Sequence, residues 1–342
     1  MKTNKLLITI TAIMLIITTA CNHQQTEEVD LWAVRSGDRL GLCGFVDKHG
    51  EFVIEPQFYF ADDFSEGLAR VETREGMWGF IDQQGNYVIE PQFDDDNIGI
   101  WTKPFFSEGL AAVAKDSKMG FIDKTGKFVI NPQFDDVEEF HEGLAVVELN
   151  EKYGFINKLG NYVVEPQFDW AFGFNEGLAA VEIDGKMGFI NKTGEIVINP
   201  QFELAERFNE GLAAVIIGEK SGFINKQGAF VINPQFDWAY GFSEGLAAVK
   251  IDEKMGFIDK TGKVVISPQY DWVPGEIGFH EGLACVSIDK AWGFIDKQGN
   301  FVINPQYEYA LPYHNGIAVV VVKYNKDCLI DKQGNVVYAE PF

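Results

Sequence analysis

A block of about 34 residues recurs along nearly the whole 342-residue chain, and this periodicity limits the possible folds more than any single side chain does. The Gly-Phe pair begins at Gly44, Gly79, Gly120, Gly154, Gly188, Gly222, Gly256 and Gly293, in even steps of 34 from Gly120 to Gly256. A degraded ninth copy follows at Cys328, Leu329, Ile330 and Asp331. Pro-Gln-aromatic triplets keep the same beat from Pro56 to Pro305, with an echo at Pro341 and Phe342. A short unit in tandem buries its apolar face only against its neighbours, so residues 31–342 are read as one repeat domain.

Each unit reads as three strands. In one copy Leu178, Ala179, Ala180 and Val181 form an apolar run, and Asp184, Gly185 and Lys186 turn the chain. Gly188, Phe189, Ile190 and Asn191 form a second run; after Lys192, Thr193 and Gly194 comes a third, rich in β-branched residues, at residues 195–198. The second turn has a mechanism. An Asp or Asn side chain, as at Asp47, Asn191 or Asp331, bonds its own backbone two residues on, and the glycine three places later accepts a left-handed conformation. Pro200 has no N–H to give and is expected to end the ladder. An irregular connection through Phe202 and Phe208 then leads to the next unit, and both insertions, in residues 94–106 and 271–279, fall in it.

One unit offers about six large apolar side chains, worth roughly 1.5–3 kcal/mol each when buried. Ordering costs about 1–2 kcal/mol for every residue fixed, so a lone unit does not fold. The expected fold is all-β, a tandem array of about nine three-stranded antiparallel meander units. Propeller blades usually carry four strands, and the array starts at residues 31–34 with no split blade to latch a ring. An open superhelix or solenoid is therefore favoured, with a closed propeller-like ring as the alternative.

The first twenty residues are a separate object. Lys2 and Lys5 precede an apolar stretch over residues 6–17, and small residues lead to Cys21. Such a stretch is too short to span a bilayer but suits a secretory signal. Residues 1–20 are thus expected to be cleaved. Ala20 before Cys21 resembles the lipobox of bacterial lipoproteins, although Thr18 stands where Leu is usual; the resemblance implies lipidation of Cys21. Residues 21–30 are polar and acidic, a tether. The expectation is an exported, membrane-anchored lipoprotein at the bacterial outer membrane, touching the membrane through its lipid alone.

The chain carries 51 acidic against 28 basic residues, a net charge of −23, and loss of Lys2 and Lys5 makes it −25. With no basic stripe, nucleic acid is excluded as a partner. His141, His280 and His314 fill a slot held elsewhere by Ser or Asn, which makes them turn residues. Glu66, Glu108, Glu142, Glu176, Glu210, Glu244 and Glu281 recur beside glycine; a carboxylate repeated so often is a turn former, not a general acid with a distinct environment. No catalytic residue, metal site or cofactor is expected, and Cys43, Cys285 and Cys328 are expected to be buried thiols.

The Gly-Phe-Ile-Asp-Lys-x-Gly run, the Pro-x-aromatic and the Phe-x-Glu-Gly-Leu-Ala element resemble the WG repeat, also called the KWG repeat, of bacterial proteins. The Trp-Gly pair itself survives at Trp78-Gly79 and Trp292-Gly293. The resemblance implies a β-rich module and carries over no catalytic residues.

One periodic feature suggests binding. Trp170, Trp238 and Trp272 share a slot beside Asp169, Asp237 and Asp271, and Trp101 sits in the longer insertion. Facing solvent, these rings and carboxylates suit a sugar or an extended partner; facing inward, the rings pack between repeats. The leading expectation is a non-catalytic scaffold binding a protein partner in the envelope or at the cell surface. The alternative is a carbohydrate-binding lipoprotein that uses the Trp/Asp row.

Overall fold

The computed structural model describes residues 30–37, 41–93, 105–271, 277–323 and 326–341. These residues form nine small antiparallel sheets in chain order. Blade 1 comprises Trp32–Arg35, Cys43–Val46 and Phe52–Phe58. Blade 5 shows the full pattern, with Trp170–Ala171, Leu178–Ile183, Lys186–Asn191 and Ile196–Phe202 paired in that order. Blades 2, 3, 4, 6, 7 and 9 also have four strands, and blade 8 has three among the described residues.

Two expectations are corrected here. The unit has a fourth, two-residue strand in what the sequence suggests is irregular connection; Trp170 pairs with Glu182 and Ala171 with Val181. Nor does proline end the ladder. Ile196–Phe202 runs through Pro200 by bulging: Phe189 pairs with Ile198, yet Met187 pairs with Phe202. This bulge explains the Gly-Phe motif. A Cβ at Gly188 would lie 2.6 Å from the Ile198 carbonyl oxygen and 2.7 Å from the Pro200 nitrogen, so no larger residue fits beneath the bulge. Blade 9 lacks the proline, and there Cys328 stands in the glycine's place, paired directly with Ala339.

The turns follow the sequence reading. Asn191 Oδ1 accepts from the Thr193 and Glu195 N–H groups at 3.0 Å each, and Gly194 has φ +84°. Two-residue hairpins such as Asp184-Gly185 have both φ values positive, the twist-matching geometry of tight hairpins.

Blades are wedges. The strand next to the short one carries alanine on both faces, as in Ala179 and Ala180, while the next carries Phe189 and Ile190. The last strand leaves Val197, Val231 and Val302 exposed. Stacking wedges thin at the short strand curves the array about that edge. At the eight junctions between blades consecutive in the chain an inward Phe, or Tyr313 in blade 9, packs on the Phe of the preceding blade, for example Phe208 on Phe189 and Phe242 on Phe223, both at 4.8 Å.

The curvature closes the ring, which overturns the favoured open superhelix and establishes the alternative, a nine-bladed β-propeller. Trp32, Val34 and Val46 of blade 1 form one core cluster with Ile317 and Leu329 of blade 9. These are the slots that build every other junction. Tyr338 and Phe52 meet edge to face at 5.7 Å, and Asn315 Nδ2 donates to Asp30 Oδ1 at 2.7 Å. No strand is shared across the seam among the described residues, so the missing split blade did not preclude closure. Instead Trp32 fills a slot that is alanine in the other blades, from Ala69 to Ala318, and supplies bulk at the one junction without an inward Phe or Tyr among the described residues.

Candidate functional site

The recurring carboxylates serve the ring itself. Glu176 has φ 52°, and its carboxylate reaches the next blade to accept from Gly211 N–H at 3.0 Å and from Lys226 Nζ at 3.0 Å. The same rung joins Glu108 to Gly143 and Lys158, and Glu244 to Gly282 and Lys297. At the seam Asn315 replaces Glu and Asp30 replaces Gly, so the bond persists with its chemistry exchanged. The sequence marks these glutamates as turn formers; that they also link blades is not visible without the ring.

With the framework constant, the positions that vary carry the individuality of the protein. These are the two residues preceding each inward Phe or Tyr, at the thin edge of the blades, which among the fully described pairs are Asp62-Asp63, Glu138-Glu139, Phe172-Gly173, Glu206-Arg207, Tyr240-Gly241, Ile277-Gly278 and Leu311-Pro312. Arg207 of blade 6 reaches past blade 5 to Glu138 of blade 4, with Nη2 to Oε2 at 2.7 Å. Contact between alternate blades is possible because the wedges converge here.

Glu138 also accepts from Gly173 N–H at 3.0 Å, and the Arg207 guanidinium stands 5.6 Å from the centre of the Phe172 ring. A Cβ at Gly173 would sit 3.0 Å from Glu138 Oε2, so glycine makes room for the carboxylate. Glu206 repeats the arrangement two blades on, accepting from Gly241 N–H at 3.1 Å. Burial raises both carboxyls above the ordinary carboxylate range; Arg207 opposes this at Glu138, whereas Glu206 is opposed only by the Gly241 N–H among the described residues and is pushed up to about 7. A pocket of about 550 Å3 opens over Glu138, Glu206, Arg207, Trp170 and Phe172.

The Trp/Asp row divides. Trp170 lines this pocket, half-buried, with its ring 4.8 Å from Tyr153 and edge-on to Phe172 at 6.2 Å. Trp238 stands edge-on to Tyr240 at 6.4 Å and is half-buried too. The aspartates are engaged in the framework: Asp169 binds Lys152 Nζ at 2.5 Å and the Asp184 N–H, Asp237 binds Lys220 and the Asp252 N–H, and Asp271 binds Lys254 and the Lys290 N–H. Their partners hold all three below the usual aspartate range. Trp101, Trp272 and Cys21 lie outside the described residues, as do most of both insertions.

His141, His280 and His314 sit in the tight turns, each bridged to the residue three places on. Cys43, Cys285 and Cys328 are buried free thiols, and burial pushes Cys285 up to about 12. Among the described residues no group of side chains is arranged to hold a metal ion, and no helix is long and apolar enough to cross a membrane. Sequence reasoning missed Glu138, Glu206 and Arg207. Their signal was departure from the repeat, at positions whose shared location only the ring reveals.

Solved structures share the architecture at low identity. A eukaryotic initiation factor aligns over 92% of this chain and 96% of its own, with TM-score 0.61 and 12% identity. BamB from Moraxella catarrhalis aligns over 90% of this chain and 98% of its own, with TM-score 0.52 and 10% identity. At such identity the likeness is one of fold. No curated protein matches the sequence. The family described as WG containing repeat matches at residues 44–75, 78–118, 119–153, 153–186, 187–220, 222–254, 255–290 and 292–326. Eight successive matches, each running from the later strands of one blade into the first strands of the next, make this chain a member of the WG-repeat family.

Proposed function

We propose that the protein is a non-catalytic scaffold of the cell envelope, held by a lipid on Cys21, that binds a protein partner at the thin-edge face of its propeller. The observation that carries this reading is the contrast within the repeat. Turns, glycines and interblade rungs recur from blade to blade, while the residue pairs before the inward aromatic differ and build one pocket across blades 4, 5 and 6. A surface unconstrained by the framework is free to be specific. The family membership supports an interaction scaffold, and the N-terminal sequence, with its basic start, apolar stretch and Cys21, supports export and anchoring.

The glycan reading receives less support, because Asp169, Asp237 and Asp271 already hold lysines and hairpin amides. Crosslinking in native membranes, followed by identification of the captured protein, tests the scaffold. Capture of a defined partner in stoichiometric amount is expected; recovery of the protein uncrosslinked at every spacer length counts against it. Labelling with radioactive palmitate tests the anchor, since incorporation should vanish in Cys21→Ser. Binding of the mature protein on a glycan array, lost in Trp170→Ala and Trp238→Ala, would favour the alternative.

A further inference from the structure

The pocket over blades 4, 5 and 6 contains its own ion pair, and that decides what it can take. Arg207 uses Nη2 on Glu138 Oε2 at 2.7 Å with its side chain 35% exposed, so the rest of the guanidinium remains for a ligand. Glu139, half-buried in the same lining, enters no hydrogen bond or ion pair among the described residues. Glu206 turns one oxygen to Gly241 N–H at 3.1 Å, and burial pushes its carboxyl up to about 7, so near neutral pH it donates as well as accepts. Trp170 and Phe172 supply apolar surface, their rings edge-on at 6.2 Å. Every lining residue falls within 138–209, inside the continuous described stretch 105–271.

A cation entering this space meets Arg207, and an anion meets Glu138, Glu139 and Glu206. Burial of an uncompensated charge is costly, so the pocket selects a neutral ligand. That ligand must still satisfy a guanidinium, a carboxylate and a carboxyl of either role, against an apolar wall. Neighbouring hydroxyls on a ring with a C–H face do so, because each hydroxyl both donates and accepts; a single amide has too few groups. We propose that Glu139, Glu206 and Arg207, with Trp170 and Phe172 as the wall, form a site for one neutral pyranose unit. The cavity of about 550 Å3 lies in the range of ligand pockets, roughly 300–1,000 Å3. Asp169, Asp237 and Asp271 take no part, so the site is distinct from a Trp/Asp row. The inference goes beyond the scaffold reading and does not depend on it: the same contacts serve a sugar on a glycosylated partner or on a free polysaccharide.

The test uses the purified mature protein on an array of neutral and acidic oligosaccharides, at low and physiological salt. Saturable binding to at least one neutral glycan, insensitive to salt, is expected. It should weaken at least tenfold in Glu139→Gln and in Trp170→Ala, while Trp238→Ala and Glu75→Gln, both outside the pocket, leave it unchanged. No binding to any neutral glycan, binding confined to acidic glycans, undiminished binding in Glu139→Gln, or equal loss in Trp170→Ala and Trp238→Ala overturns the proposal. None of these results touches the scaffold reading, which stands or falls on crosslinking. Treatment of native membranes with glycosidases before crosslinking separates the two sources of the sugar: once the array shows binding, loss of the captured protein assigns the unit to the partner, and its retention assigns the unit to a free polysaccharide.

Discussion

The Tyr338 hydroxyl donates a 2.6 Å hydrogen bond to the Arg35 carbonyl, 303 positions away in the chain. It joins the last strand of blade 9 to the first strand of blade 1, beside the cluster that holds Trp32 against Leu329. The ring is thus sealed by side chains packed face to face, without a shared strand among the described residues.

The seam should respond to one side chain. Trp32→Ala restores the alanine found in the other blades but removes the bulk that replaces the absent inward aromatic. A loss of about 3–5 kcal/mol is expected, as for large-to-small core substitutions. Hydrogen exchange should locate it, with faster exchange in Trp32–Arg35 and Ile317–Val322 and little change in blade 5. Uniform acceleration around the ring would argue against a discrete seam.

The glycine beneath the bulge should be intolerant where the bulge exists and replaceable where it does not. Gly188→Ala places a methyl 2.6 Å from the Ile198 carbonyl oxygen, which requires backbone movement costing about 1–3 kcal/mol or more. Cys328→Gly in blade 9, where Cys328 meets no bulge, should cost less than Gly188→Ala. Urea unfolding midpoints of the two variants compare them directly.

The interblade rungs set the acid limit. Burial raises Glu108, Glu176, Glu244 and Glu281, but a lysine and a glycine N–H on each outweigh it and leave all four lowered. A depressed folded-state value gives stability that is present above the unfolded value, near 4.3, and lost as pH falls through the folded one. Each rung is partly exposed and worth about 0–1 kcal/mol. Urea midpoints should therefore fall below about pH 4, and Glu176→Gln should reduce the pH 7 midpoint while flattening this decline.

Glu206 has the opposite sign. Its folded-state value is raised to about 7, so its contribution is fully present below the unfolded value and is lost as pH rises through about 7. Glu206→Gln removes that loss. The variant should be more stable than the parent at pH 8, by up to about 3 kcal/mol, and nearly equal to it at pH 5. Glu138, Glu139, His141 and Arg207 share the pocket, so the comparison needs the difference between variant and parent at each pH. Equal melting temperatures at pH 8 would count against a buried, uncompensated carboxyl.

Much of the blade was legible in the sequence because its determinants are local. Asn191 and Gly194 make their turn from neighbouring backbone, and the apolar runs around Ala180 and Phe189 define two adjacent strands. The two-residue strand at Trp170 escaped notice because pairing so short leaves no periodicity. The bulge escaped because Pro200 reads as a terminator unless Gly188 lies beneath it. Glu206 and Arg207 escaped because each is ordinary in its own unit, and their meaning arises from residues one and two blades away.

By itself the sequence determined that this chain repeats, that its units are β meanders, and that no unit stands alone, since apolar periodicity and turn chemistry act within a few residues. Only the tertiary structure decided that the array closes after nine blades and which side chains converge at the thin edge. Closure depends on the small wedge angle added at every junction, a sum around the ring that leaves no mark on any one repeat.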